Sequence, residues 1–162
     1  MKTELTTPMQ MFSLPQVLEI PLYQRAYVWA EEEQWEPFWQ DIRRVSELRM
    51  STAPSATHFL GAVVLQEQES GGVNALRSYA IVDGQQRLTT LQLLMDAAAG
   101  VMTHLGLGQA AARLENLTHN ADMYGLVGGD RLKVQHQNSD RDAFRSVMTA
   151  EPPVDHAELD SA

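Results

Sequence analysis

Apolar residues recur at Trp35, Phe38, Trp39, Ile42, Val45 and Leu48, the three-and-four spacing that gathers side chains on one face of a helix. Glu31, Glu32 and Glu33 stand where the dipole of that helix is positive, so the pattern predicts an amphipathic helix from residue 31. A second stripe, Leu88, Leu91, Met95, Ala98, Met102 and Leu105, predicts a long helix that enters through Asp83-Gly84 and stops near Gly106 and Gly108. Continuous or β-rich runs mark the strands. Residues 18–23 read as extended, because Pro21 biases Ile20 away from helix; residues 58–65 suit a buried strand, with Gly61 marking a close backbone approach. Residues 79–82 form a β-type run able to pair with 58–65 as a long-looped hairpin. Further along, the pattern gives a helix at 109–117, a turn at 125–130, a short strand at 131–135, and a helix at 140–148 capped by Ser139 or Asp140. The opening segment, with Pro8 and Pro15, reads as a short lead-in, and residues 50–57 as a loop. Residues 1–150 are therefore expected to form one domain, and residues 151–162, with Pro152-Pro153, a disordered tail.

Composition narrows the chemistry. The chain has 162 residues, 44% hydrophobic, enough for a packed core of one ordinary domain. It carries 12 Lys+Arg against 21 Asp+Glu, a net charge of −9 that repels a phosphate backbone, so any DNA contact must be local. With Cys at 0, thiolate metal sites, Fe–S clusters and thiol nucleophiles are excluded, which leaves oxygen and nitrogen groups to do any chemistry. The longest apolar stretch, residues 59–65, is far short of a bilayer span, and the N-terminus lacks a signal-peptide core, so no membrane association and a cytoplasmic location are expected.

The strongest local signal is Asp83-Gly84-Gln85-Gln86-Arg87 at a strand-to-helix turn. Glycine lets the backbone approach a ligand, and a helix N-terminus favours an anion such as phosphate. Arg87, one helical turn in, adds a bidentate cation; Asp83 can hold Mg²⁺ or orient an attacking water; Gln85 and Gln86 can position phosphate oxygens or water. The competing reading is a capped helix, with Asp83 as N-cap and Arg87 its surface ion-pair partner. A second constellation is Pro21-Leu22-Tyr23-Gln24-Arg25-Ala26-Tyr27-Val28-Trp29. If extended, it places Tyr23, Arg25, Tyr27 and Trp29 on one face, suited to stacking on a base or holding phosphate, with Gln24 facing away. The alternative is that these aromatics are core and Arg25 pairs with a nearby glutamate.

Taken in order, Pro-x-Tyr-Gln-Arg-x-Tyr-x-Trp at 21–29, a helix reaching Asp41-Ile42, His58-Phe59-Leu60-Gly61, and Ile81-Val82-Asp83-Gly84-Gln85-Gln86-Arg87-Leu88-Thr89-Thr90-Leu91 closely resemble the N-terminal domain of GmrSD-type restriction endonucleases. The resemblance covers residues 18–94 closely and 131–148 more loosely, where Asp140 followed by Phe144 looks like a later helix start of the family. It implies an α+β, ParB/sulfiredoxin-like fold, a small mixed sheet flanked by helices. It also implies a bacterial anti-phage domain of type IV systems directed at modified DNA, in which nucleotide binding and hydrolysis control cleavage. By that resemblance Asp83, Gln86 and Arg87 carry NTP hydrolysis with Mg²⁺ held at Asp83. Gly84, Gln85, Arg87, Thr89 and Arg25 hold the nucleotide, and Tyr23, Gln24, Arg25, Trp29 and His58 line the cleft or sense modified DNA. A lone histidine at a strand edge such as His58 is more often structural, Arg43, Arg44 and Arg49 read more readily as a solvated face, and the eight Met residues as core filler.

Relatives of this type carry a separate nuclease domain with His-Asn-His metal chemistry. His58, His104, His119, His136 and His156 do not form such a setting, so the expected partners are a nucleoside triphosphate, modified DNA, and a nuclease domain or subunit supplied elsewhere. Two classes of function follow: a Mg²⁺-dependent NTPase, or a nucleotide switch or DNA-sensing module without turnover.

Overall fold

The computed structural model describes residues 3–51, 53–69, 76–126 and 128–150. These fall into two compact units, residues 27–62 and the remainder.

The larger unit begins with a helix that the apolar pattern does not reveal, α1 (Pro8–Ser13). Its cause is local. Thr7 and Gln10 form a capping box, the Thr7 side chain accepting from the Gln10 N–H at 3.2 Å while Gln10 Oε1 accepts from the Thr7 N–H at 3.0 Å, and Pro8 is preset for the first helical position. The turn buries Phe12 completely. At its far end, the Lys133 ammonium donates to the carbonyls of Phe12 and Leu14. A buried cation thus satisfies groups that the short helix leaves open, and burial pushes its pKa down.

The sheet has the order β2-β3-β1-β4, with β1 (Gln16–Ile20) parallel to β3 (Arg77–Asp83) and to β4 (Val134–His136), and β2 (Val64–Gln68) antiparallel to β3. It is a small mixed sheet flanked by helices, the α+β class expected. The expected hairpin is the β2–β3 pair. Strand bounds differ from the sequence expectation in three places. The first strand runs 16–20, not 18–23, because Pro21 has no N–H to extend the ladder and the chain turns back, with the Gln24 N–H bonding the Pro21 carbonyl at 3.0 Å. The second starts at Val64, not at residue 58, since Gly61 at φ +96° breaks the extended run. The third is 134–136 in place of 131–135, since Gly128–Arg131 is a 3-10 turn.

Two helices follow β3: α3 (Gln85–His104) and α4 (Gly108–Thr118). Another, α5 (Arg141–Thr149), follows β4. Asp140 occupies the N-cap position of α5, but no side chain caps it in the way expected of Ser139 or Asp140; Asn138 Oδ1 accepts the Asp140 N–H instead, at 3.2 Å. Leu18, Ile20, Ile81, Leu88, Val134 and Phe144 make up the centre of the core. Asn120 is buried beside it, its amide bonding both backbone groups of Gln16 and so extending β1 by one side chain. The tail expected at 151–162 lies outside the described residues.

Residues 27–62 hold a π-helical turn, Glu31–Trp35, that continues into α2 (Glu36–Met50), close to the start predicted at residue 31. Trp29 packs edge-on against Trp35 and Phe38, with centroids 6.4 and 5.8 Å apart. No helix among the described residues is long and apolar enough to cross a membrane.

Two predictions follow from this packing. Phe12→Ala should cost about 3–5 kcal/mol, read as a lower urea midpoint, since a fully buried aromatic is removed from the core. Asp96, half buried on α3, has its pKa pushed up to about 6 by burial and by the charge of Glu115. The folded state therefore binds the proton more tightly, and stability should fall as pH rises from about 4 to about 6. Asp96→Asn should melt higher than the parent at pH 8, by about 1 kcal/mol after solvent screening, and equally at pH 4.

Candidate functional site

Because β1, β3 and β4 are mutually parallel, Ile20, Asp83 and His136 end at one edge of the sheet, and the loops after them share that edge. The C-terminal edge of parallel strands is where open sheets most often place ligands. Here side-chain amides tie the loops together. Gln24 Nε2 donates to the Val82 carbonyl at 3.1 Å and the Ile81 carbonyl at 3.4 Å. In return Gln85 Nε2 donates to the Arg25 carbonyl at 2.9 Å, and Gln86 Nε2 to the Ala26 carbonyl at 3.0 Å. Asn138, from the loop after β4, donates to the Arg25 and Gln24 carbonyls at 3.3 and 3.4 Å. The two motifs separated by nearly 60 positions thus interlock.

At the turn itself Gly84 has φ +97°, and a Cβ there would lie 2.9 Å from Val63 Cγ2 and 3.3 Å from Val63 Cα. Both the backbone conformation and the space demand glycine. No side chain caps the N-terminus of α3, and Gly84, not Asp83, is the cap residue. Asp83 is the last residue of β3, its carboxylate exposed, with Oδ2 3.6 Å from an Arg87 guanidinium nitrogen. Of the capped-helix alternative, the ion pair is present and the Asp83 cap is not.

Residues 9–161 match the family described as GmrSD restriction endonuclease, N-terminal domain. The chain belongs to this family. A comparison with curated proteins found no match.

In this GmrSD N-terminal domain the other anticipated positions divide sharply. Gln85 and Gln86, expected to face phosphate or water, are buried at 7% and 9% exposure with their amides on the loop carbonyls. Thr89, 2% exposed, is bonded to His136 Nε2 at 3.1 Å. Tyr23 and Arg25 are exposed, but residues 21–30 contain a turn and no strand, so the single aromatic face expected of Tyr23, Arg25, Tyr27 and Trp29 does not form. Trp29 packs within the 27–62 unit, as does His58, whose Nε2 sits 3.5 Å from Asp41 Oδ2 of α2. Arg43 and Arg44 pair with Glu47 and Asp41 along the same helix, the solvated-face reading. Among the described residues no three His, Asp or Glu side chains cluster as metal ligands, so Asp83 stands as a single carboxylate.

His136 and Asn138 carry much of the site and were not singled out by the sequence. Asn138 has its amide nitrogen on the loop carbonyls, which turns its oxygen toward His136 Nδ1 at 3.2 Å. That acceptor places the imidazole hydrogen on Nδ1, and Nε2 then accepts from the Thr89 hydroxyl. The ring also lies against Phe144, with centroids 4.5 Å apart. Burial pushes its pKa below the ordinary value, against smaller opposing effects of Asn138 and Asp140. The available signal was a histidine at a strand end with asparagine two positions on, which no period or motif count weighs.

A neutral buried His136 contributes stability above the ordinary histidine pKa and loses it as pH falls, because the unfolded chain takes up the proton more readily. In an Asp96→Asn background, which removes the opposite pH dependence of that carboxyl, the melting temperature should therefore drop between pH 7 and pH 5. His136→Leu should flatten that drop, the remainder coming from His119, whose pKa burial also lowers, and should cost about 1–3 kcal/mol at pH 7 by leaving the Thr89 and Asn138 groups unpaired.

Proposed function

We propose that this domain is the nucleotide-responsive regulatory part of a restriction system directed at modified DNA, and that the turn 83–87 holds the phosphates of a nucleoside triphosphate. The observation that carries the reading is the uncapped helix start. Gly84, packed against Val63, opens a 20-residue helix that has no side-chain cap, and an Arg87 guanidinium nitrogen lies 3.4 Å from where a Gly84 Cβ would be. A positive helix end and a guanidinium on one turn are complementary to a phosphate.

Arg87 is the pivot. It pairs with Asp83 at 3.6 Å, a long contact between partly solvated groups that contributes little, so a phosphate oxygen is a better partner for the guanidinium. The exchange frees Asp83. One carboxylate suffices for a Mg²⁺ that arrives with its nucleotide and keeps phosphate and water ligands, and Asp83 fits that role. The ion would neutralise charge on the phosphoryl oxygens. Hydrolysis then requires a water oxygen to attack the γ-phosphorus while the bond to the β–γ bridging oxygen breaks, and Asp83, exposed at the turn, would orient that water. Arg25 and Tyr23, exposed on the neighbouring loop, are the side chains available for nucleotide or modified DNA. A nuclease module executes the cut.

One observation favours binding without turnover: Gln85, Gln86 and Thr89 are engaged by the protein itself, leaving Asp83 as the one motif side chain to manage water. Purified protein with Mg²⁺ should release phosphate from GTP or ATP, and Asp83→Ala or Arg87→Ala should lower the rate at least about tenfold. Nucleotide binding by calorimetry with release no faster than a protein-free blank would favour the switch. Absence of binding to either nucleotide would overturn both.

A further inference from the structure

Helix α5 places its charges differently from α2. On α2, Arg43 is answered four residues on by Glu47 at 2.8 Å, the usual way for a solvated helix to satisfy a cation. On α5 the residues four apart are Arg141 and Arg145, two cations stacked on one face, a spacing that mildly disfavours the helix carrying it. Both arginines line one hollow, bounded by the 3-10 turn Gly128–Arg131, β4 and α5, and buried Leu132 and Phe144 give it an apolar lining. The polar groups around it are unevenly satisfied. Arg145 Nη2 lies 3.2 Å from Asp130 Oδ1, a pair 41% and 57% exposed that contributes little. Gln135 engages its amide on the carbonyls of Asp130 and Leu132, at 3.0 and 3.2 Å. The Arg141 guanidinium and the Gln137 side-chain amide, which line the same hollow, have no hydrogen-bond or ion-pair partner among the described residues.

The donors left over define the ligand. A carboxylate has two oxygens, which one guanidinium fork already occupies, so a group that uses two forks and an amide must carry more acceptors on one centre, as a phosphate does. The hollow measures about 300 Å³ with its open mouth included, the lower end of the roughly 300–1,000 Å³ of pockets that enclose a drug-sized ligand, so it takes the phosphate group and leaves the carrier outside. With a net charge of −9 the chain repels a long row of phosphates, which favours a small carrier over a strand. We propose that Arg141, Arg145 and Gln137 form a binding site for the phosphate group of a small phosphate ester. It shares no residue with the turn 83–87 and stands whether or not a nucleotide binds there. Asp130 sets its strength: the carboxylate holds Arg145 and repels the incoming anion, so phosphate binds in competition with it.

Inorganic phosphate is the first probe, titrated into the full chain against sodium chloride at matched ionic strength while the arginine Nε–H resonances are followed by NMR. The signals of Arg141 and Arg145, assigned by their loss in Arg141→Gln and Arg145→Gln, should shift and saturate with phosphate and not with chloride. Arg141→Gln should weaken binding, read at Arg145, at least about tenfold, the effect of losing a charge-assisted contact. Asp130→Asn should strengthen it about two- to fivefold, a change of opposite sign that damage to the fold does not produce. Equal shifts with chloride, no shift at Arg141 and Arg145, or no strengthening in Asp130→Asn would overturn the site. The carrier is decided by glycerol phosphate against a single-stranded oligonucleotide without terminal phosphates, at equal phosphate concentration. The monoester should bind more tightly at Arg145. Tighter binding of the strand, with a salt dependence lowered by about one ion in Arg141→Gln, would overturn the small-ester assignment in favour of nucleic acid.

Discussion

A loop that is neither strand nor helix must find partners for its backbone carbonyls elsewhere, and residues 21–26 find theirs in side-chain amides. Asn138 reaches the carbonyls of Gln24 and Arg25, Gln85 that of Arg25 and Gln86 that of Ala26. These bonds are partly buried; a carbonyl left unpaired and fully buried costs about 1–3 kcal/mol, whereas each bond made contributes about 1 kcal/mol net. The asymmetry explains why the motif residues are amides. A glutamine at the first turn of a helix reaches outward with a donor that bears no charge, so it can be buried without the penalty of an ammonium or guanidinium. Gln24 reciprocates with a donor to the carbonyls at the end of β3, so that neither loop holds its shape without the other.

The helices after β3 and the β2–β3 hairpin were legible because long stripes and β-rich runs are averages over many residues, which one unusual contact does not disturb. The strand ends and α1 were not, because single local bonds decide them. Pro21 ends β1 by lacking an N–H; Thr7 and Gln10 create α1 through two reciprocal bonds in a segment with no apolar period. At the site, the motif Asp83 to Arg87 was located correctly as a turn, yet the direction in which Gln85 and Gln86 point depends on which carbonyls lie nearby. Those carbonyls belong to residues about sixty positions earlier, a fact no local pattern contains. His136 and Asn138 were hidden for the same reason: their meaning is the pair Thr89 and Arg25, brought to them by the parallel ladder of β1, β3 and β4.

The division between buried amides and exposed ions follows from dielectric environment. Gln85, Gln86, Thr89, His136 and Asn138 form a buried polar network, and the same burial pushes the pKa of His136, its one titratable member, below the ordinary value. Asp83 and Arg87, 3.6 Å apart, instead remain partly in contact with water. The middle of the five-residue motif thus holds a neighbouring loop while its ends stay in contact with water.

The overall charge of −9 bears on which anion the exposed pair can hold. A duplex presents an extended row of phosphates to the whole negative surface, and repulsion grows with each one. Under the proposed nucleotide reading the phosphates gather at one point, where the helix would supply its positive end and Arg87 a single compact charge. Screening over roughly 8–10 Å at physiological salt shields such a point from most of the surrounding carboxylates. Local geometry therefore outweighs net charge for a small anion and yields to it for a long one, the distinction on which the proposed nucleotide reading rests.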